Sequence, residues 1–425
     1  MNVNITVVCE TCGEPTNCRI GMSNRDEQPF RFCCQTCGSP IDITVRKDRG
    51  GDFVGAHQLI PDLYPFDQKT NFVDLHLDFP VSFEKYVMGL TPYMRAVART
   101  HEGGMMLHQQ RLKFLNEELP KFRFFRLILN LYIAGKLTPF KLSLKRNFGI
   151  TVKSDKPEDM NAALYRLIAD VMMPFAYPWQ DRDSVDLFKS VIDDLGRDHR
   201  AAAEAFMKEM IDTKFLKNLQ TACLGIYPKI LDAELPLRPV LFLDFDEEFR
   251  NNPLPMRISN AAFENHKDLY KDISEIISRQ YVLVAGINNL LKRDNHNTFK
   301  PGIGLASSGR DFTPKNLHAF ADVPFGHKLG FIDDPWFDFA EDGADNHLRN
   351  AIAHYKADYD EITQTVTYYP RKEGIKQEKA ETMSFLQFMR QLLISYRDMH
   401  RLHHLIKCLF YLQLIILAQA SKKAG

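Results

Sequence analysis

The spacing of apolar residues changes along the chain and divides it before any chemistry is considered. Over residues 1–50 the apolar positions fall in short blocks, NITVV, FRF and IDITV, punctuated by glycine and proline, which predicts short β-strands. Over 52–79 (IPDLYPFDQ, LHLDFP) no period persists, and the stretch reads as a linker packed on a neighbour. From 81 to about 218 the spacing becomes three to four residues in SFEKYVMGLTPYMRAV, HQQRLKFLNEEL, EDMNAALYRLIADVM, SVDLFKSVIDDL and HRAAAEAFMKEMIDTKFL, which predicts amphipathic helices. Ser154 to Pro157 and Asp183-Ser184 supply side-chain oxygens or a first-turn proline at two of the expected helix starts. Longer helices are predicted over 261–292 and 382–419. Between them lie a Gly/Pro/Phe-rich stretch (298–334), a short helix around Leu348, and an alternating run, ITQTVTYYP, that leads into RKEG and reads as a hairpin. No internal repeat or low-complexity tract is present.

Length adds a domain count: 425 residues correspond to about three domains at roughly 150 residues each. With 45% hydrophobic and 25% charged residues the chain can bury a large core, which excludes a mainly disordered or collagen-like protein. The 54 basic residues balance the 54 acidic ones, so a polyanionic partner would have to be met by a local basic face. The start, MNVNITVVCE, has no basic segment followed by an apolar one and predicts no signal peptide. The most apolar stretch, 408–418, is well short of the ~20 residues that span a bilayer, so no membrane segment is expected. A cytoplasmic location with reduced cysteines follows as the expectation.

Six of the eight cysteines are crowded into Cys9, Cys12, Cys18, Cys33, Cys34 and Cys37. Cys9-Glu10-Thr11-Cys12-Gly13 and Cys34-Gln35-Thr36-Cys37-Gly38 are two C-x-x-C-G knuckles separated by 21 residues. Each knuckle places two sulfurs on one side of a tight turn, the glycine permits the turn's positive φ, and two facing knuckles give the tetrahedral thiolate set that Zn²⁺ prefers. A structural zinc ribbon with Cys9, Cys12, Cys34 and Cys37 as ligands is expected, with Cys18 and Cys33 as spare or packing thiols. An iron–sulfur cluster or disulfides are the lesser readings. Four thiolates leave no open coordination position, so the metal would hold the fold and take no part in chemistry. Acids and bases are mixed in this module (Glu10, Glu14, Asp26 and Glu27 against Arg19, Arg25 and Arg31), so it is only a weak nucleic-acid binder on charge grounds.

Chemistry is suggested by Arg349-Asn350-Ala351-Ile352-Ala353-His354. The string resembles the R-x4–6-H motif of the HEPN superfamily of all-α ribonucleases, commonly written with Asn after the Arg and Ala before the His. As in that family, a helix is expected before the motif and a long helix after it. The resemblance covers about 338–420 and extends plausibly back to 261. It implies a mainly α fold: an N-terminal β zinc ribbon (1–50), a helical sensor or regulatory region (51–255), and a C-terminal HEPN-like helical bundle (256–425) with a β-hairpin elaboration. It also implies metal-independent endoribonuclease chemistry, in which the ribose 2′-oxygen attacks the neighbouring phosphorus to leave 2′,3′-cyclic phosphate and 5′-hydroxyl ends.

In the implied reaction His354 serves as general acid/base, since imidazole titrates near neutral pH. Arg349 clamps the phosphate and stabilises its developing charge, and Asn350 orients one of them or the substrate. At about 100° per residue Arg349 and His354 diverge by about 140° on a straight helix, whereas Asn350 and His354, and His354 and Asp358, share a face at i,i+4. Family members solve this problem by dimerising, and Ala351 and Ala353 are small enough to permit close approach. The apolar character of the last helix also suggests a homodimer interface. Regulation by tyrosine modification in R-x4-H-x-Y is not implied, because Tyr355 directly follows His354 and position 356 is Lys.

Weaker signals remain. Residues 121–146 hold Lys121, Arg123, Arg126, Lys136, Lys141, Lys145 and Arg146 with no acid among them, which suits either a core helix pair with a basic rim or an RNA surface with interleaved aromatics. His400, His403, His404 and Lys407 recur along one helix face; with Lys356, the residues His400, His404 and Lys407 are candidate RNA contacts beside the cleft, a metal site being the lesser reading. LFLDFDEE (241–248) and GIGLASSG (302–309) lack the partners of a phosphotransferase site or a phosphate loop and read as structural. The expected function is a toxin-like antiviral effector that acts by abortive infection, with RNA as substrate, a phage component as trigger, structural zinc and no catalytic cofactor. The alternative is a non-catalytic zinc-ribbon adaptor that binds RNA or protein and uses the helical bundle for dimerisation.

Overall fold

The computed structural model describes residues 2–47, 50–60, 67–176, 178–246, 248–249, 256–305, 311–340, 343–370 and 379–418. The molecule is about 54% helical with several small sheets, in line with a mainly α chain carrying an N-terminal strand region. Two compact units form, neither of them continuous in sequence: Met1–Leu119, Leu231–Asp268 and His347–Leu393 make the first, and Pro120–Ile230, Leu269–Asn346 and Ile394–Gly425 the second.

Residues 2–75 of the first unit form seven strands: β1 (Asn2–Cys9), β2 (Pro15–Gly21), β3 (Glu27–Cys33), β4 (Pro40–Arg46), β5 (Gly50–Val54), β6 (Ala56–Gln58) and β7 (Asn71–Leu75). One sheet runs β6-β1-β2-β7, the last pair parallel, and a second antiparallel sheet runs β3-β4-β5. Alternating residues such as Ile20, Phe30, Phe32, Ile41, Ile43 and Leu75 turn inward to a common core. The module therefore does not end near residue 50. β5 pairs with β4, and β6 and β7 flank β1 and β2, so part of the 52–79 stretch expected to be a linker is edge strand. These strands are short and one-sided, which hides their period. Residues 61–66 of that stretch lie outside the described residues.

Polar burial ties the module to the Glu234–Phe242 helix. Arg238 is fully buried and donates to Glu234 at 2.6 Å, to Asp78 at 2.9 Å and to Asn24 at 2.8 Å, while Arg25 donates to the same Glu234 at 2.5 Å. Two guanidiniums face two carboxylates in a dry site, and removal of any one strands a buried charge. The Glu381–Ser384, Thr365–Tyr368 and Ala357–Asp360 strands form a three-stranded antiparallel sheet. The predicted hairpin is present with a third strand, and RKEG lies outside the described residues.

The second unit is helical around Lys267–Arg293, whose positions from Leu269 to Leu290 are almost all buried. A helix apolar or small on every side is a central one. Gly286 sits where an added Cβ would come within 2.8 Å of the Phe206 ring. The helix starts at Lys267 rather than 261, after a 3₁₀ turn at Phe263–Asn265. The last helix, Phe385–Tyr411, starts three residues later than expected because Thr382 is taken by the strand; it runs from the first unit into the second and gives way to a π-helix at Leu412–Leu417. Its start is a capping box: Gln387 N–H donates to Ser384 Oγ at 3.2 Å and Ser384 N–H donates to Gln387 Oε1 at 2.8 Å. No large apolar residue of this helix is exposed, and Phe410 and Tyr411 near its end are half-buried. Among the described residues no helix is long and apolar enough to cross a membrane.

Candidate functional site

The two cysteine knuckles have the same backbone design. Gly13 N–H donates to Cys9 O at 2.9 Å and Cys9 N–H to Glu14 O at 3.1 Å; Gly38 N–H donates to Cys34 O at 2.9 Å and Cys34 N–H to Ser39 O at 2.9 Å. Gly13 and Gly38 have φ of 74° and 76°, the left-handed conformation that glycine adopts without a Cβ clash. The turns face each other, with Cys9 and Cys37 sulfurs 3.7 Å apart, Cys12 and Cys34 sulfurs 3.6 Å apart, and all four within 4.8 Å. A tetrahedral ion with bonds of about 2.3 Å to sulfur requires about 3.8 Å between sulfurs, so the four thiols are spaced as zinc ligands are. Cys9 and Cys34 are buried, while Cys12 and Cys37 are exposed. The Ser39 hydroxyl and backbone N–H hold the Cys37 thiol down to about 6, whereas desolvation and the neighbouring Cys37, Cys34 and Cys9 thiols push Cys12 up to about 12.

Cys18 and Cys33 are packing residues, as expected. Cys18 is buried and burial drives its thiol up; Cys33 donates to Glu361 at 3.2 Å, and burial with that carboxylate pushes it up to about 12.

The Arg349–His354 segment occupies the Asn346–Ala353 helix and its C-terminus. Leu348, Ala351 and Ile352 are buried and anchor it; Arg349 and Asn350 are half-buried; His354 is exposed. Arg349 Nη1 donates to Asn350 Oδ1 at 2.7 Å, and partial burial lowers the guanidinium pKa. The helix closes with Tyr355 in the left-handed conformation (φ 57°), Tyr355 N–H donating to Ile352 O at 3.3 Å and Lys356 N–H to Ala351 O at 2.8 Å, the two bonds of a Schellman motif. His354 is thus the C-cap, and its N–H still donates to Asn350 O at 3.0 Å, preserving their i,i+4 relation. The expected i,i+4 relation of His354 to Asp358 does not exist, because the helix ends at Ala353 and Asp358 belongs to the Ala357–Asp360 strand. Nothing in the sequence marks that stop, since Tyr355 stands where glycine is usual.

The other candidates are placed differently. Lys356 is half-buried beside the motif. His400, His403 and His404, expected on a rim or surface, are 2%, 0% and 9% exposed, and burial keeps all three imidazoles neutral. Tyr227, which the sequence reading passed over, lies 3.0 Å from His400 Nδ1 and 2.7 Å from His403 Nδ1 through its hydroxyl. Lys407 is half-exposed, unlike the three histidines. In the 121–146 segment Phe122, Phe125 and Phe140 are buried while Arg123, Lys136, Lys145 and Arg146 are exposed, the arrangement of a core helix pair with a basic rim. Asp244 accepts from Arg111 at 2.8 Å and Arg390 at 2.5 Å, and Asp246 pairs with Arg99 at 3.0 Å, so these two aspartates serve structure. Residues 306–309 of GIGLASSG lie outside the described residues.

Comparison of the chain with protein families, with curated proteins and with solved structures finds no match.

Proposed function

We propose that the chain is a metal-independent endoribonuclease of the HEPN type that carries a structural zinc ion in its N-terminal module. The observation that carries this reading is the short helix that presents Arg349, Asn350 and His354 together: the arginine is held by the asparagine, and the histidine stands at the helix end in solvent. The exposed imidazole takes the proton of the ribose 2′-hydroxyl as the 2′-oxygen bonds to phosphorus, and the bond from phosphorus to the 5′-oxygen breaks as that oxygen gains a proton. Arg349 holds the non-bridging oxygens, and Asn350 keeps its guanidinium in place. A second protomer completes the cleft by supplying another Arg349 or His354 at the two-fold axis. The biological role that fits is a toxin-like antiviral effector restrained until phage infection.

The test is expression in a bacterium followed by sequencing of RNA ends that bear 5′-hydroxyls. Growth arrest and such ends are expected from the parent chain, and both should vanish in His354→Ala and Arg349→Ala at a stability within about 1 kcal/mol of the parent. Cleavage by His354→Ala at the parent rate sinks the proposal and leaves the adaptor reading. A strict Mg²⁺ requirement would also overturn it.

A further inference from the structure

The second unit contains a cavity of about 500 Å³ along the Pro157–Met172 and Phe385–Tyr411 helices. His400, His404, Lys407 and Tyr411 face it from successive turns of the last helix, and Tyr165 and Arg166 from the other. Four rings and the small Ala162 and Ala169 shape a space suited to a flat molecule, and its size is that of an ordinary small-ligand site. Arg166 and Lys407 are its charged lining residues, with no acid among them. Lys407 Nζ sits 5.9 Å from the Tyr165 ring centre.

Hydrogen bonding among the buried histidines behind the cavity wall is incomplete in a specific way. The Tyr227 hydroxyl bridges His400 Nδ1 and His403 Nδ1, and His400 Nε2 lies 3.3 Å from His404 Nε2. One hydroxyl proton serves only one imidazole, so the other must donate to the oxygen, and the His400–His404 contact needs one protonated nitrogen. The series therefore has two states. When Tyr227 donates to His403, His404 Nδ1 is an acceptor; when Tyr227 donates to His400, His404 Nδ1 carries a proton. In either state His404 Nδ1 and His403 Nε2 are buried without a hydrogen-bond partner. An unmade bond of this kind costs about 1–3 kcal/mol.

A metal ion is a poor occupant. The two Nε2 atoms are close enough to share one, but no third histidine, cysteine or carboxylate joins them among the described residues, and both charges on the wall are positive.

We propose that this cavity binds a mononucleotide, with its base among the Tyr165 and Tyr411 rings and its phosphate at Lys407 and Arg166. The proposal does not depend on the ribonuclease reading. The experiment is calorimetric titration of the zinc-loaded full chain with AMP, UMP, adenosine and inorganic phosphate. Saturable binding of AMP or UMP at one site per chain is expected, with adenosine and phosphate about tenfold weaker or more. Lys407→Gln should bring AMP down to the affinity of adenosine and leave adenosine unchanged, a selective loss that a merely structural lysine would not produce. Ala169→Trp places a bulky ring in the cavity from an exposed position and should abolish binding of all four at an unchanged melting temperature. Failure of both nucleotides to bind the parent chain overturns the proposal, as does equal binding of AMP by the parent and both variants.

Discussion

At the residue scale, the cysteine site shows how few atoms fix a local structure. Each knuckle places two of the four sulfurs, so loss of one leaves three thiols crowded with no ion to reconcile them. Cys12→Ser or Cys37→Ser should therefore reduce bound zinc, measured by elemental analysis, and loosen the strand module, seen as faster amide exchange across β1 to β4. A parent protein that purifies without zinc and takes none up would refute the metal assignment. In the second unit Tyr227 is the comparable residue. Removing its hydroxyl in Tyr227→Phe takes away the group shared by two buried imidazoles and should cost about 1–3 kcal/mol. Urea unfolding is the check: a lower midpoint at unchanged slope is expected, and an unchanged midpoint would show that the hydroxyl contributes nothing.

At the scale of elements, helix ends decide where the candidate chemistry sits. Tyr355 is 92% exposed and holds a left-handed conformation, so its side chain contributes almost no burial to offset the strain. Tyr355→Gly should stabilise the protein by about 1 kcal/mol and keep His354 at the C-cap, so RNA cleavage should persist. A destabilised variant would mean that the tyrosine ring makes a contact that offsets its backbone strain. The last helix shows the opposite kind of legibility. Ser384-Phe385-Leu386-Gln387 is a capping box readable in the sequence, yet the helical periodicity ahead of it extended the helix to 382, because a four-residue strand is too short to establish a competing period.

For the whole molecule, discontinuity matters most. The 347–393 segment belongs with the N-terminal strands and the 231–268 segment: Cys33 donates to Glu361 at 3.2 Å, Arg31 pairs with the same carboxylate at 3.6 Å, and Arg390 donates to Asp244 at 2.5 Å. A fragment of residues 256–425 should then fail to fold alone, giving poor amide dispersion and rapid proteolysis; a well-dispersed spectrum would show it to be self-sufficient.

Acid should weaken both units. Burial pushes His108 and His266 in the first unit, and His400 in the second, down to about 4. An unfolded chain protonates these imidazoles near pH 6.5, so their stabilising effect is full above that pH and is lost as pH falls toward about 4. Asp398, raised by burial to about 6, works in the opposite direction, since the folded state takes its proton first. One such carboxyl only partly offsets three imidazoles, and the melting temperature should fall between pH 7 and pH 5. A rise would contradict the burial of these histidines.

The sequence by itself determined what depends on near neighbours. The C-x-x-C-G knuckles, the glycines at positive φ and most helices of the 81–218 region follow from spacing, because a turn or an amphipathic face is built from residues within a few positions of each other. Tertiary structure decided which residues those elements meet. Burial of His400, His403 and His404 depends on Tyr227 and Tyr165, far away in the chain. The strand role of 56–58 and 71–75 depends on pairing with β1 and β2, and the helix stop that leaves His354 in solvent is fixed as the following residues join a sheet with 365–368 and 381–384. A periodic pattern records that a face is apolar, but the free energy of burying it is set by partners that the pattern does not name.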